Sequence, residues 1–316
     1  MKMTKLVILE PLGISKEKLL SLAEFAVQNR MEITAYDDRK EDLQTLIERS
    51  KDTDAVVLSN FPYRKEVIEK CPHLKMICVA FTGTDHVDVE YCKERGILVC
   101  NCAGYSTAAV ADLVFGMIID IYRKIIECNC AVREEGTGKH LTGHELEGKK
   151  FGVIGAGAIG SRVAKIADAF GCEVYAYNRS VKDLPHVSFV SLDHLLSTCD
   201  IISLHLPSTP ETKNLINGDK IRLVKPSAVF INTARGAIVD SYALAEALRE
   251  GRLAGAGIDV FEMEPPIPPE HPLLNAPGIV ATPHIAFATE ESMMKRAEIA
   301  MDNIRLWLDG RPQNVV

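Results

Sequence analysis

Long hydrophobic runs are missing from this 316-residue sequence. The most apolar stretch, LVFGMIID from Leu113 to Asp120, ends in an acid. It is far shorter than the roughly 20 apolar residues a membrane helix needs, so no membrane segment is expected. Excess positive charge is missing as well. Lys and Arg number 36 against 43 Asp and Glu, for a net charge of -7, and there is no basic tail. Neutralising nucleic-acid phosphates takes a basic face, so a nucleic-acid partner is not expected. The opening MKMTKLVILEPLG lacks a long apolar stretch and a small-residue cleavage site, so it reads as a first strand rather than a secretory signal. Nine cysteines are present, but Cys100/Cys102 and Cys128/Cys130 have C-x-C spacing with no matching second half for zinc. Reduced thiols and a cytoplasmic location are the expectation. His140, His144 and Glu145 fall in a turn-like, glycine-containing stretch, and no metal is expected there either. No repeat of the length used by solenoids is visible.

What is there is an alternation of short β-branched runs and helical stretches, the pattern of parallel sheets wrapped by helices. Strands are predicted at Lys5–Leu9, Glu32–Tyr36, Ala55–Leu58, Met76–Phe81 and Ile97–Val99, with helices at Lys16–Asn29, Glu41–Ser50 and Arg64–Lys70. A long helix, apolar over a wide arc, follows from about Ser106 to Ile126, with Ser106 or Thr107 as cap. A second series of strands comprises Phe151–Ile154, Glu173–Tyr177, Ile201–Leu204, Ala228–Ile231, Gly255–Ile258 and Ile279–Ala281. Helices Ala158–Ala169 and Ser241–Glu250 lie among them, and a last helix, Glu290–Leu308, is expected to return to the first domain. EPPIPPEHP, Glu264–Pro272, reads as a stiff loop.

Residues 151–160 read FGVIGAGAIG, a strand, three glycines at G-x-G-x-x-G spacing, and a helix start. Gly155 permits the tight turn, Gly157 lets backbone approach a pyrophosphate, and Gly160 lets helix and strand pack closely. The helix amides from Ala158 and Ile159 then face the phosphates. This predicts a dinucleotide cofactor. At the end of the next strand an NAD site would place an acid on the ribose. Here Asn178, Arg179 and Ser180 stand instead, with Lys182 nearby. An acid would repel a 2′-phosphate, whereas Arg binds one by a charge-assisted fork, so NADP is expected in preference to NAD. The fold class that follows is α/β, with two doubly wound parallel-sheet domains. One is a Rossmann dinucleotide-binding domain over 103–287. The other is flavodoxin-like and discontinuous, a substrate domain over 1–102 plus 288–316.

Three further segments lie just past strand ends of the second sheet, where such folds bind ligands. They are Asn232-Thr233-Ala234-Arg235-Gly236, Asp259-Val260-Phe261-Glu262-Met263-Glu264-Pro265 and Thr282-Pro283-His284-Ile285. With GAGAIG, Thr82-Gly83-Thr84-Asp85-His86-Val87-Asp88, Leu204-His205-Leu206-Pro207 and Thr209-Pro210-Glu211-Thr212, the sequence resembles the D-isomer-specific 2-hydroxyacid dehydrogenase family over nearly its whole length. The resemblance implies hydride transfer between NAD(P)H and C2 of a small 2-oxo acid, of the glyoxylate/hydroxypyruvate reductase kind. It assigns Arg235 to the substrate carboxylate and to polarisation of the C2 carbonyl, a role suited to a planar, permanently charged fork. It assigns His284 to acid/base work, with Glu264 favouring the protonated ring, although Glu262 is a rival partner by position. Thr82 and Gly83 would hold the substrate carboxylate by backbone amides, with the substrate in a cleft between the domains. His205, Pro207 and Thr212 would line the cofactor groove, and Thr233, Ala234 and Asp259 would stand at the nicotinamide end.

The sequence departs from the family in His284-Ile285-Ala286-Phe287, where a glycine usually stands two residues after the histidine. Ala286 adds a methyl near the nicotinamide, and Phe287 is expected to line the substrate pocket. The sequence stops soon after the last helix, so no appended regulatory domain is expected. Two other functions compete: phosphoglycerate dehydrogenase-like activity, for which Tyr63-Arg64-Lys65 could supply a basic patch, and a dinucleotide-sensing corepressor-like binding protein. The apolar arc of the 106–126 helix predicts a homodimer.

Overall fold

The structure, a computed structural model, describes residues 3–316. The chain divides into two compact units, one made of the described residues up to Ser106 with Ala288–Val316, the other Thr107–Phe287. Sequence reading had placed the first crossing four residues earlier, near 102.

The first unit runs β1 (Thr4–Ile8), α1 (Lys16–Leu22), α2 (Phe25–Gln28), β2 (Met31–Ala35), α3 (Leu43–Ser50), β3 (Ala55–Leu58), α4 (Lys65–Ile68), β4 (Met76–Val79), α5 (Val89–Glu94) and β5 (Leu98–Asn101). Its five strands are parallel in the order β2-β1-β3-β4-β5, the doubly wound, flavodoxin-like arrangement. β3 and β4 are buried along their whole length, which is why they read as unbroken apolar runs.

The second unit runs α6 (Thr107–Arg123), α7 (Ile125–Arg133), β6 (Lys150–Ile154), α8 (Ala158–Ala169), β7 (Glu173–Tyr177), β8 (Val187–Phe189), α9 (Leu192–Thr198), β9 (Ile201–Leu204), α10 (Gly218–Leu223), β10 (Val229–Asn232), α11 (Ser241–Arg249), β11 (Gly255–Ile258) and β12 (Ile279–Ala281). The chain then returns to the first unit as α12 (Glu290–Leu308), where the buried Asn303 amide donates to Asn101 O at 2.8 Å. All seven strands of the second sheet are parallel, ordered β12-β11-β10-β9-β6-β7-β8.

Apolar clusters cover both faces of this sheet. α9, α10 and α11 pack over Phe230, Ala256 and Ile258 on one face. α6 and α8 pack over Val229, Ile231 and Phe151 on the other. The alternation of Val229, Phe230 and Ile231 between the two clusters is the strand period of two at work.

Four local readings are corrected. The helix over 16–29 is two short helices with a break at Ala23–Glu24. The helix expected to run through Ile126 stops at Arg123, because Lys124 turns left-handed (φ 52°) and α7 begins. Asp120 drives this change of direction by accepting the Ile126 N–H at 3.0 Å. The sequence reading missed β8, whose three residues are too few to show a period. The apolar arc of α6 was expected to face a second copy, but Val114, Phe115, Met117 and Ile118 are buried against the chain's own sheet. Ile125, Ile126 and Val132 of α7 are the apolar side chains left exposed beside it.

Candidate active site

β6 delivers the glycine loop to the start of α8. Gly155 has φ 100°, and a Cβ there would lie 2.7 Å from His205 O. At Gly160 a Cβ would lie 2.0 Å from Gly155 O, so only glycine permits this crossing of helix and strand. Gly157, by contrast, opens onto space with nothing within 4 Å of an added Cβ. It caps α8 without a side-chain hydrogen bond, so the first amides of the helix are left for an anion. Asn178, at the end of β7, accepts from Ala156 N at 3.2 Å and donates to Ser180 O at 2.8 Å. Its amide therefore ties the 179–180 turn to the glycine loop. Arg179 and Ser180 themselves are exposed there.

β10, β11 and β12 are neighbours, with Asn232 paired to Ile258 and Ile258 to Ala281. The three loops that leave their carboxyl ends therefore emerge side by side. In the first, Asn232 accepts from Ala234 N and donates to Arg235 O, both at 3.0 Å, which fixes the turn that presents Arg235. Gly236 comes next, and a Cβ there would sit 1.9 Å from the carbonyl carbon of Phe261. The Arg235 turn thus rests directly on the backbone of the second loop.

In the third loop His284 occupies the left-handed region at φ 56°, a conformation that costs a non-glycine residue about 1–3 kcal/mol. Asp259 holds it there. Its backbone oxygen accepts His284 N at 2.8 Å, and its carboxylate accepts Thr282 Oγ1 (2.6 Å), Ile285 N (2.8 Å) and Ala286 N (2.9 Å). With its backbone held, the imidazole of His284 sets Nδ1 2.7 Å from Glu264 Oε2, and its ring meets Phe287 edge to face at 5.6 Å. The rivalry between the two acids is resolved, since Glu262 pairs with His271 at 3.0 Å. A cation, an imidazole paired with a carboxylate, and a dinucleotide-type helix start at one edge of a single sheet make up the kit of a hydride-transfer enzyme.

A profile of the D-isomer specific 2-hydroxyacid dehydrogenase NAD binding domain matches residues 115–286. The chain belongs to the D-isomer-specific 2-hydroxyacid dehydrogenase family. A glyoxylate reductase of Thermofilum pendens is 39% identical over 278 residues, 84% of this chain and 82% of the relative. A hydroxypyruvate reductase of Blautia hydrogenotrophica is 35% identical over 321 residues, 98% and 96% of the two chains. The solved structure of an acyclic imino acid reductase in complex with NADPH and D-Arg superposes with a TM-score of 0.92 at 30% identity, covering 99% of this chain and 100% of the other.

For a dehydrogenase of this family the nicotinamide end of the site needs groups ready for the cofactor. Thr233, one of the residues expected there, is buried, and its Oγ1 has no hydrogen-bond partner among the described residues. Ala234 lies beside it, half-buried. Asp259, also expected at the nicotinamide end, has a side chain that is 0% exposed and accepts three donors of the His284 loop. Asn178 is similarly a staple of its loop. Thr212 Oγ1 donates to Pro207 O at 2.7 Å and accepts Thr209 N at 2.8 Å, which closes the 207–212 turn. His205 Nε2 lies 2.9 Å from Ser203 Oγ, and loss of hydration pushes its pKa down to about 3. A ring held neutral in this way is unsuited to donate a proton at neutral pH.

Thr82 and Gly83 follow β4 in the first unit, with Asn101 Nδ2 donating to Thr82 O at 2.9 Å. Among the described residues no three His, Cys, Asp or Glu side chains converge as a metal site requires, and no helix is long and apolar enough to cross a membrane. All nine cysteines are free. The sequence reading missed the roles of Gly236, Asn232 and Thr282; each is polar or small beside a strand end, the one signal that could have marked them.

Proposed function

We propose that this chain reduces a small 2-oxo acid to its D-2-hydroxy acid, with glyoxylate and hydroxypyruvate as first candidates. The observation that carries the reading is the 2.7 Å His284–Glu264 pair beside the Arg235 turn at one edge of the nucleotide-binding sheet. When bound, the nicotinamide would supply the hydride to C2 or accept it in the reverse direction. Gly157, Ala158 and Ile159 would hold the pyrophosphate, and Thr233 Oγ1 would receive or give a hydrogen bond at the nicotinamide end.

Arg235 binds the substrate carboxylate by two parallel N–H donors and draws charge toward the carbonyl oxygen. His284 gives its Nε2 proton to that oxygen as C2 is reduced and takes it back when the hydroxy acid is oxidised. Glu264, at Nδ1, stabilises the imidazolium and holds the ring in the tautomer that exposes Nε2. Phe287, packed on the His284 ring, bounds the space for the C3 substituent.

NADPH is the preferred cofactor in this reading, supported by Arg179 and Ser180 at the end of β7 and the absence of an acid there. A cytoplasmic site of action is supported by nine free cysteines, and a homodimer by the exposed Ile125, Ile126 and Val132 of α7.

The deciding experiment measures kcat/KM for glyoxylate, hydroxypyruvate, pyruvate and branched and aromatic 2-oxo acids with each cofactor, with His284→Ala as control. The reading expects NADPH-dependent reduction of one of the two smallest hydroxylated or aldehydic acids and a loss of about 10³-fold or more in the control. Absence of turnover with every acid would overturn it, and a strong NADH preference would overturn the cofactor assignment alone.

A further inference from the structure

Glu264 presents a problem of placement. Its side chain is 54% exposed, it lies in a proline-rich loop, and it must meet His284 at 2.7 Å. A surface pair of this kind is worth roughly 0–1 kcal/mol by itself, too little to order a loop. Something else must hold the backbone from which Glu264 projects.

The same loop contains a second histidine–carboxylate pair. His271 is 8% exposed, and its Nε2 lies 3.0 Å from Glu262 Oε2. Its Nδ1 accepts Leu273 N at 3.4 Å, which requires the other nitrogen to carry the proton and donate to Glu262. Both nitrogens are therefore engaged, and the ring stands edge-on to Phe261 at 5.0 Å. The far end of the loop is fastened by Arg249 Nη2 to Pro272 O and Asn275 Nδ2 to Pro269 O, each at 2.8 Å, and by Leu273 in the core. The near end is the Phe261–Glu262 backbone on which Gly236, next to Arg235, is pressed. His271 thus joins the two ends of the loop across nine residues, with Glu264 between them and two residues from the clasp.

We propose that His271 and Glu262 are positioning residues, a buried clasp that sets the reach of the Glu264 carboxylate toward His284. Neither need touch substrate or cofactor. The clasp fixes the backbone that carries an exposed carboxylate, and so acts on the proton-transfer step while leaving binding of the acid and the dinucleotide alone. It rests on the dehydrogenase reading only for its effect on rate. The geometric claim can be tested without turnover.

Three variants test it: His271→Leu, which removes both hydrogen bonds; His271→Gln, which retains an amide donor at the Nε2 position; and Glu262→Ala, which removes an exposed acid and leaves the core untouched. The expected results are a fall in kcat of about tenfold in His271→Leu and Glu262→Ala, with KM for the 2-oxo acid and Kd for NADPH (by nucleotide fluorescence) changed less than about twofold, and recovery in His271→Gln. In a Glu264→Gln background the Glu262→Ala change should cost nothing further, because the carboxylate it places is already gone. The proton NMR signal of the His284 Nδ1–H in its bond to Glu264 should weaken in His271→Leu and Glu262→Ala and return in His271→Gln. An equal loss of kcat in the Glu264→Gln background, or an unchanged His284 signal in Glu262→Ala, would overturn the proposal. Should the unaltered chain reduce no 2-oxo acid, the functional reading fails, and the NMR signal still decides the clasp.

Discussion

Two histidines at strand ends of one sheet have opposite fates. His284 is paired with a carboxylate, while His205 is held neutral by loss of hydration, with its pKa pushed down to about 3. The second has a thermodynamic consequence. Unfolded, His205 takes up a proton below its ordinary value of about 6.5; folded, it resists until about pH 3. Between those values the unfolded state binds more protons, so the stability this ring contributes is complete above pH 6.5 and is lost as pH falls toward 3. One such group sets a slope of at most about 1.4 kcal/mol per pH unit. His205→Gln should flatten the stability-versus-pH curve between pH 6 and 4, measured by urea unfolding at each pH, and an unchanged slope would count against a desolvated neutral ring. At Arg235 the expectation is geometric. Arg235→Lys keeps the charge and loses the fork, so KM for the 2-oxo acid should rise and kcat/KM fall by roughly 10²-fold with NADPH affinity unchanged. Residue types at strand ends, together with the family resemblance, singled out Arg235 and His284. The resemblance favoured Glu264 over its rival Glu262, and in the structure Glu264 pairs with His284 while His271 takes Glu262.

At the scale of elements, the site is three loops locked to one another. Asp259 carries the His284 loop, and Gly236 seats the Arg235 turn on Phe261. Gly236→Ala would drive a methyl to 1.9 Å from backbone that cannot yield as a side chain would. The expected cost is about 3 kcal/mol of stability, read by urea unfolding, together with a loss of kcat. Full activity and wild-type stability in that variant would show that the two loops can separate. Helix and strand existence was legible where the apolar period ran over many residues, as in α8 and α12, each predicted at its observed bounds. It was illegible at β8, with three residues, and at the α6–α7 break. There a single acid four residues back decides where the chain turns, a contact no periodicity encodes.

For the whole molecule, the testable quantities are cofactor choice and assembly. A ligand present at about 100 times its Kd stabilises the folded state by roughly 2.7 kcal/mol. At matched concentrations NADPH should therefore raise the melting temperature more than NADH, and Arg179→Ala should reduce that difference. The homodimer is expected to sediment at twice the mass of one chain, and Ile126→Asp on the exposed face of α7 should shift it to single chains. A wild-type protein that sediments as one chain at micromolar concentration would reject the assembly.

The sequence by itself determined the two doubly wound sheets, the glycine loop, and Arg235 and His284 at strand ends. Each of these rests on a short-range rule: an apolar period, a backbone angle only glycine adopts freely, or a residue type at a fixed offset from a strand. Tertiary structure alone decided that His271 takes Glu262, that Asp259 and Asn178 serve as internal staples, and that the apolar arc of α6 is spent on the chain's own sheet. Those outcomes depend on which polar group reaches a donor first once strands far apart in sequence lie side by side. Hydrogen bonds act over about 3 Å, a distance that folding sets and residue order does not.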